Sequence, residues 1–172
     1  MKHLFIILSL ILLSTSNGIA QNCQVNEDPF TNEKVITYNW KRGIVFYEQT
    51  KEHIKFGIKI HYSGERNVII EKGTKVLFKL DNGDLLELHT CADAHPESQV
   101  SASQYSASVL TAYSFVFCIT NQELKKLATH KLTAVRYPDT NGEPLDIILK
   151  GKRNKYSRAV NEGSQCIIEH SS

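Results

Sequence analysis

Long hydrophobic runs are missing from this chain of 172 residues: the longest, Leu4 to Leu13, holds about ten residues broken only by Ser9, whereas a membrane-crossing helix needs ~20. Cysteines are few, four in all, and no two stand in a Cys-x-x-Cys spacing, which speaks against a redox-active dithiol or a structural zinc site of that pattern. No Gly-x-Ser-x-Gly elbow accompanies the many serines between Ser98 and Ser114, so serine-hydrolase chemistry lacks its signature. Nine glycines and four prolines are too few for a collagenous or low-complexity chain. Charge of one sign is missing as well, because twenty Lys and Arg face eighteen Asp and Glu for a net +2. That balance announces neither nucleic acid nor a membrane surface as partner. With 41% hydrophobic and 22% charged residues, no internal repeat and no dividing linker, the chain reads as one ordinary globular domain.

What is present begins with an address. Met1-Lys2-His3 is a short basic start, the apolar run follows, and Gly18 and Ala20 put small residues where a signal peptidase reads them. Residues 1–20 are therefore expected to be a signal peptide, and 21–172 a single exported domain, periplasmic or extracellular, with no transmembrane segment. Ala20-Gln21-Asn22 before Cys23 lacks the Leu and small residues of a lipobox. Cleavage after Ala20 leaves 152 residues and removes one lysine and no acid, for a charge of +1. Cys23, Cys91, Cys118 and Cys166 all lie in that part, and an oxidising compartment permits two disulfides in three connectivities. Domain termini often lie close together, which favours Cys23–Cys166 and leaves Cys91 with Cys118. For Cys118, inside Phe115-Val116-Phe117-Cys118-Ile119, a free buried thiol is an equal alternative.

Periodicity then gives the elements. Gln21 to Lys34 is polar and reads as an extended lead-in. Val35 to Trp40 and Ile44 to Tyr47, interrupted by Arg42-Gly43, are rich in β-branched and aromatic residues. Ile54 to Tyr62 places apolar residues on even numbers and Lys55, Lys59 and His61 on odd ones, the pattern of a half-buried strand. Val76–Leu80 and Leu85–Leu88 flank Asp81-Asn82-Gly83-Asp84, which predicts a hairpin closed by a type I′ turn. Residues 92–108, Ser-rich and within a stretch from Leu80 to Leu124 without Lys or Arg, include a candidate interaction loop, and Glu97 to Ser108 within them reads as a long mobile loop or a weak strand. Val109 to Ile119 is apolar on both parities and predicts an interior strand. Thr120-x-x-Glu123 is a capping box opening a short helix with Leu124, Leu127 and Ala128 on one face. Leu132–Tyr137 reads as a strand, Asn141-Gly142 as a turn, and Leu145–Leu149 as a short apolar segment. A basic helix follows from Gly151, ended or broken by Gly163. The fold class expected is α+β: a mainly antiparallel β-sheet of six to eight strands, two helices in the C-terminal half, and a disulfide staple.

An aromatic strand entering Ile119-Thr120-x-x-Glu123-Leu124-x-x-Leu127, then a strand ending in Val135-Arg136, then a basic helix with a late Cys166, resembles small exported proteins of unknown function from Bacteroidota-type bacteria. The likeness covers the last third of the chain. It implies a mixed sheet-and-helix domain outside the cytoplasm and brings no catalytic residues.

The constellation with most metal-ligand character is His89-x-Cys91-x-Asp93-x-His95, since alternate residues of a strand share one face. Against it, a strand separates His89 from His95 by about 20 Å at ~3.3 Å per residue. The plainer reading makes His89 a strand-end residue, Cys91 a disulfide partner, and Asp93 and His95 loop residues. Glu48 and Glu52 share a face only if helical. Cysteine-protease chemistry with His130 or His170 lacks a thiolate once the cysteines pair. Lys150, Lys152, Arg153, Lys155 and Arg158 put five cations within nine residues, a match for an anionic glycan, a lipid phosphate or an acidic protein patch, or simply a solvated helix face. The function expected is a non-enzymatic binding or structural module with no cofactor and no nucleic-acid partner. The alternative is a metal-binding protein or metal-dependent hydrolase centred on His89 and His95.

Overall fold

Ile54, Phe56 and Ile58 alternate with Lys55, Gly57 and Lys59, and the alternation becomes a strand with one buried face: Phe56 is wholly buried while Lys55 and Lys59 stay half-exposed. A computed structural model describes residues 22–102, 107–138 and 144–171. The expected signal peptide and the Asn141-Gly142 turn lie outside the described residues. Strands β1 (Cys23–Glu27), β2 (Lys34–Trp40), β3 (Val45–Gln49), β4 (Ile54–Ser63), β5 (Lys75–Leu80), β6 (Leu85–His89), β7 (Glu97–Ala102) and β8 (Ala107–Ile119) precede helix α1 (Asn121–Thr129). Strands β9 (Leu132–Tyr137) and β10 (Leu145–Ile148) follow, then a 3₁₀ turn (Gly151–Arg153) and helix α2 (Asn154–His170).

All pairings are antiparallel, in two sheets of order β1-β2-β3-β4-β8-β7 and β10-β9-β5-β6. The α+β class with a mainly antiparallel sheet and two C-terminal-half helices thus holds, but the strands divide into sheets of six and four. The count exceeds the expected six to eight partly because the polar lead-in supplies β1. Its register on β2 (Cys23 opposite Tyr38, Glu27 opposite Lys34) is an edge pairing that needs no apolar pattern. Glu97–Ala102 of the Ser-rich stretch takes the strand alternative as β7, and residues 103–106 lie outside the described residues. After β6 the chain crosses between sheets: Thr90 bridges Phe117, and the Cys91 N–H donates to Val116 at 2.8 Å.

The sheets meet through aromatic side chains. Phe78 of the second sheet contacts Phe56 and Phe117 of the first, with ring centroids 5.8 and 5.4 Å apart, and Phe115 meets Tyr137 at 5.1 Å. Such tilted and edge-to-face pairs add about 0.5–1.5 kcal/mol each beyond area burial. The β5–β6 hairpin forms as expected, but its turn is not type I′. Gly83 alone has positive φ (91°), its N–H donates to Leu80, and the Leu80 N–H donates to Asp84. A single left-handed residue after the turn gives the bulged closure of a longer hairpin loop.

Helix α1 starts at the expected capping box, with Thr120 accepting from the Glu123 N–H and the Glu123 carboxylate accepting from the Thr120 N–H. Its last carbonyls, orphaned by helix geometry, accept from Asn161 Nδ2 of α2 at 3.1 Å (Leu127) and 2.6 Å (Ala128). Helix α2 covers the part of the first sheet that the second leaves open. Tyr47 Oη donates to Val160 at 3.1 Å and Tyr38 Oη to Glu162 at 3.3 Å. Burial pushes both phenols well above their ordinary range, and the Glu162 charge adds to the rise at Tyr38.

Gly163 does not end this helix, which runs unbroken to His170. A Cβ at Gly163 would lie 2.5 Å from the Tyr47 ring and 2.7 Å from the Tyr38 ring, so the missing side chain is what lets the helix approach the tyrosines. Gly163→Ala is expected to cost about 1–3 kcal/mol through overpacking. The sign discriminates, because alanine at an unobstructed interior helix position stabilises by ~1 kcal/mol. Urea unfolding of the variant at or above the wild-type midpoint would refute the close-approach role.

Two disulfides close the fold in the favoured pairing. Cys23–Cys166 (Cα–Cα 5.9 Å) ties β1 to α2, and Cys91–Cys118 (5.6 Å) ties the inter-sheet crossing to β8. Cys118 is therefore not a free thiol. No described helix is long and apolar enough to cross a membrane.

Candidate functional site

The β2–β3 connection carries Lys41, Arg42 and Gly43 in succession at positive φ (48°, 57° and 87°). Left-handed backbone is uncommon for residues with a side chain. Here Asn39 Oδ1 accepts from the Gly43 N–H at 2.7 Å and the Ile44 N–H donates to Trp40, which holds the turn. The turn makes β3 begin only at Val45, opposite Ile58, while β4 runs on to Ser63. Next to the β2–β3 turn the start of α2 packs on the sheet, where Trp40 meets Tyr156 edge-on with centroids 5.5 Å apart.

Cations gather on this corner. Lys41 Nζ lies 5.0 Å from the Trp40 ring and Lys155 Nζ 5.5 Å from Tyr156. Lys150 precedes the 3₁₀ turn, Lys152 and Arg153 sit in it, and all of the expected basic cluster is exposed. Arg158 is engaged, with Nε 3.6 Å from Glu162 Oε1. Among the described residues Lys41, Arg42, Lys150, Lys152, Arg153 and Lys155 form no ion pair. The first turn of α2 contains no acid and its N-cap, Arg153, makes no side-chain cap. A helix start favours negative charge by 0.3–1 kcal/mol per group at typical exposure, so ~0.3–1 kcal/mol is forgone at each cation placed there.

Beside the cations lies a cleft of about 180 Å³ between β4 and the β9–β10 edge, lined by apolar residues that include Ile58, Ile60, Tyr137, Ile147 and Leu149 and by Lys59, His61, Arg153 and Tyr156. Larger depressions, about 560 Å³ over β2–β3 and 310 Å³ over the second sheet, lie on outward sheet faces. The second of these holds exposed Leu85 and Ile148 beside the Arg136–Asp146 pair. That pair is bidentate at 2.6 and 2.7 Å, and its hydrogen bonds hold Asp146 below the usual carboxylate range.

The other sequence candidates are separately occupied. His89 is exposed with Nε2 3.4 Å from Glu87 Oε1, and Cys91 is bonded to Cys118. Asp93 Oδ1 accepts from the Lys72 N–H at 2.7 Å, and His95 is exposed. The structure does not draw these four together. Glu48 pairs with Lys55 at 2.9 Å, and His130 Nδ1 lies 3.4 Å from Asp81. Among the described residues, the ligand-type atoms gathered within 4.8 Å belong to Cys23, Cys166 and His170. Both sulfurs are spent in the disulfide, and His170 Nδ1 lies 2.9 Å from the Cys166 carbonyl.

Trp40, Lys41, Arg42 and the cleft residues were not legible as a site, because only folding brings the β2–β3 turn to the start of α2. The one local signal was an aromatic followed by two cations and a glycine. Compared with known proteins, the chain matches no family model, no curated protein and no solved structure.

Proposed function

We propose that the protein is an exported, non-catalytic binding module that docks on anionic lipid through the corner formed by the β2–β3 turn and the start of α2. The observation that carries this reading is that Lys41, Lys150, Lys152, Arg153 and Lys155, which form no ion pair among the described residues, lie at or next to the residues of the Trp40–Tyr156 contact, several of them at the helix start where cations are disfavoured. An anion there satisfies both the side chains and the helix start. Two disulfides support an oxidising location. Interfacial Trp and Tyr suit a headgroup boundary, with one edge apolar and the other wet.

Co-sedimentation with phosphatidylcholine vesicles, with and without phosphatidylglycerol, tests it. Binding is expected only with the anionic lipid, and to weaken as salt shortens the screening length. Each cation near such a surface contributes about 1 kcal/mol. The triple variant Lys150→Ala/Lys152→Ala/Arg153→Ala should therefore lose roughly a hundredfold in affinity. Equal binding to neutral vesicles, no binding to either, or an unaffected triple variant overturns the proposal.

A further inference from the structure

The cleft deepens that reading and rests on its cations: we infer that it receives the acyl chain of a single-chain amphiphile whose phosphate or carboxylate head meets Arg153. The cleft exists because β4 outruns its neighbour. Val45 is the first β3 residue paired, opposite Ile58, and the Lys59 N–H makes the last bond on that side, to Ile44 at 2.8 Å. Amide directions alternate along a strand, so His61 points the same way two residues on. Among the described residues its N–H and C=O have no backbone partner on that edge. The open edge lies beside an apolar wall of Ile58, Ile60, Tyr137, Ile147 and Leu149, with Lys59, His61, Arg153 and Tyr156 as the polar part of the lining. The His61 N–H at that edge suits the ester or amide carbonyl that follows an acyl chain. Charge complementarity selects the head: Arg153 borders the cleft, and among the described residues no carboxylate pairs with it, with Lys150, Lys152 or with Lys155. At about 180 Å³ the space suits a length of one chain rather than a multi-ring ligand.

Calorimetry with monomeric hexyl, octyl and decyl phosphate reads the inference directly. Each methylene taken out of water is worth about fourfold in affinity. The affinity should climb at about that rate per methylene and level off when the cleft is full. Inorganic phosphate and octyl maltoside should bind at least about tenfold more weakly, lacking the chain or the charge. Ile60→Trp and Ile147→Trp, which fill the cleft from opposite walls, should each lose about tenfold or more, as should Arg153→Glu. Retained binding of the Trp variants to anionic vesicles shows that they are folded. Octyl phosphate binding that both Trp variants leave unchanged, or that does not depend on chain length, overturns the inference. No octyl phosphate binding by a protein that still takes up anionic vesicles overturns it too, and leaves the lipid-surface reading standing. Binding of octyl phosphate without vesicle binding removes the surface reading and keeps the cleft.

Discussion

Cys23→Ser/Cys166→Ala is expected to lower the unfolding free energy by about 5 kcal/mol. The bond joins residues 143 apart in sequence. Releasing it returns to the unfolded chain nearly all the loop entropy that the crosslink removes. Cys91→Ser/Cys118→Ser opens a loop with a separation of only 27 and should cost about 3.5 kcal/mol on the same relation. Domains of this size are stable by about 5–15 kcal/mol, so the first double variant sits at the edge of unfolding. Guanidinium unfolding of both variants with retained single disulfides measures the order. A Cys23/Cys166 loss below that of Cys91/Cys118 would show that the staple does not act through the unfolded chain.

Phe78→Ala should cost about 3–5 kcal/mol, because it removes the ring on which the two sheets meet. Phe78 is fully buried and touches Phe56 and Phe117, which come from neighbouring strands β4 and β8. The ring sits between two hydrogen-bonded sheets whose ladders resist collapse, so most of the cavity it leaves stays open. Phe30→Ala is the matched control, since Phe30 is 92% exposed, and surface changes of that kind stay within about 0.5 kcal/mol. Equal unfolding midpoints for the two variants would mean that the sheets are held chiefly by something other than this aromatic contact.

Local rules carried the sequence reading as far as individual elements. The even-numbered apolar residues of β4, the Thr120–Glu123 capping box and the limits of β9 were all readable, because each depends on neighbours within a few residues. The pairing of Cys23 with Cys166 was readable from chain ends meeting in a compact domain. Strand β1 was not, since an edge strand takes its order from β2's backbone and leaves Gln24, Val25, Asn26 and Glu27 exposed. Gly163 was misread for a related reason: a helix glycine looks like a break until the Tyr38 and Tyr47 rings are placed against it. The candidate site was the least legible part. Lys150 to Arg158 announced themselves as charge, but the Trp40–Tyr156 contact and the run of β4 past the start of β3 are properties of the assembled sheets. Conversely, His89, Cys91, Asp93 and His95 alternate in sequence, yet the chain crosses from one sheet to the other among them and each meets different surroundings.

The Cys23–Cys166 bond also gives the protein a mechanical character. Cys23 opens the first strand and Cys166 lies in the last turn and a half of the final helix, so the body is a covalently closed ring with both ends leaving from one clasp. Tension applied between the segment before Cys23 and the residues after Cys166 runs through two sulfur atoms and bypasses the sheets. Pulled at its ends, the oxidised protein yields only those outer segments, while the reduced protein feeds β1 and α2 into the load and can unravel from the clasp inward.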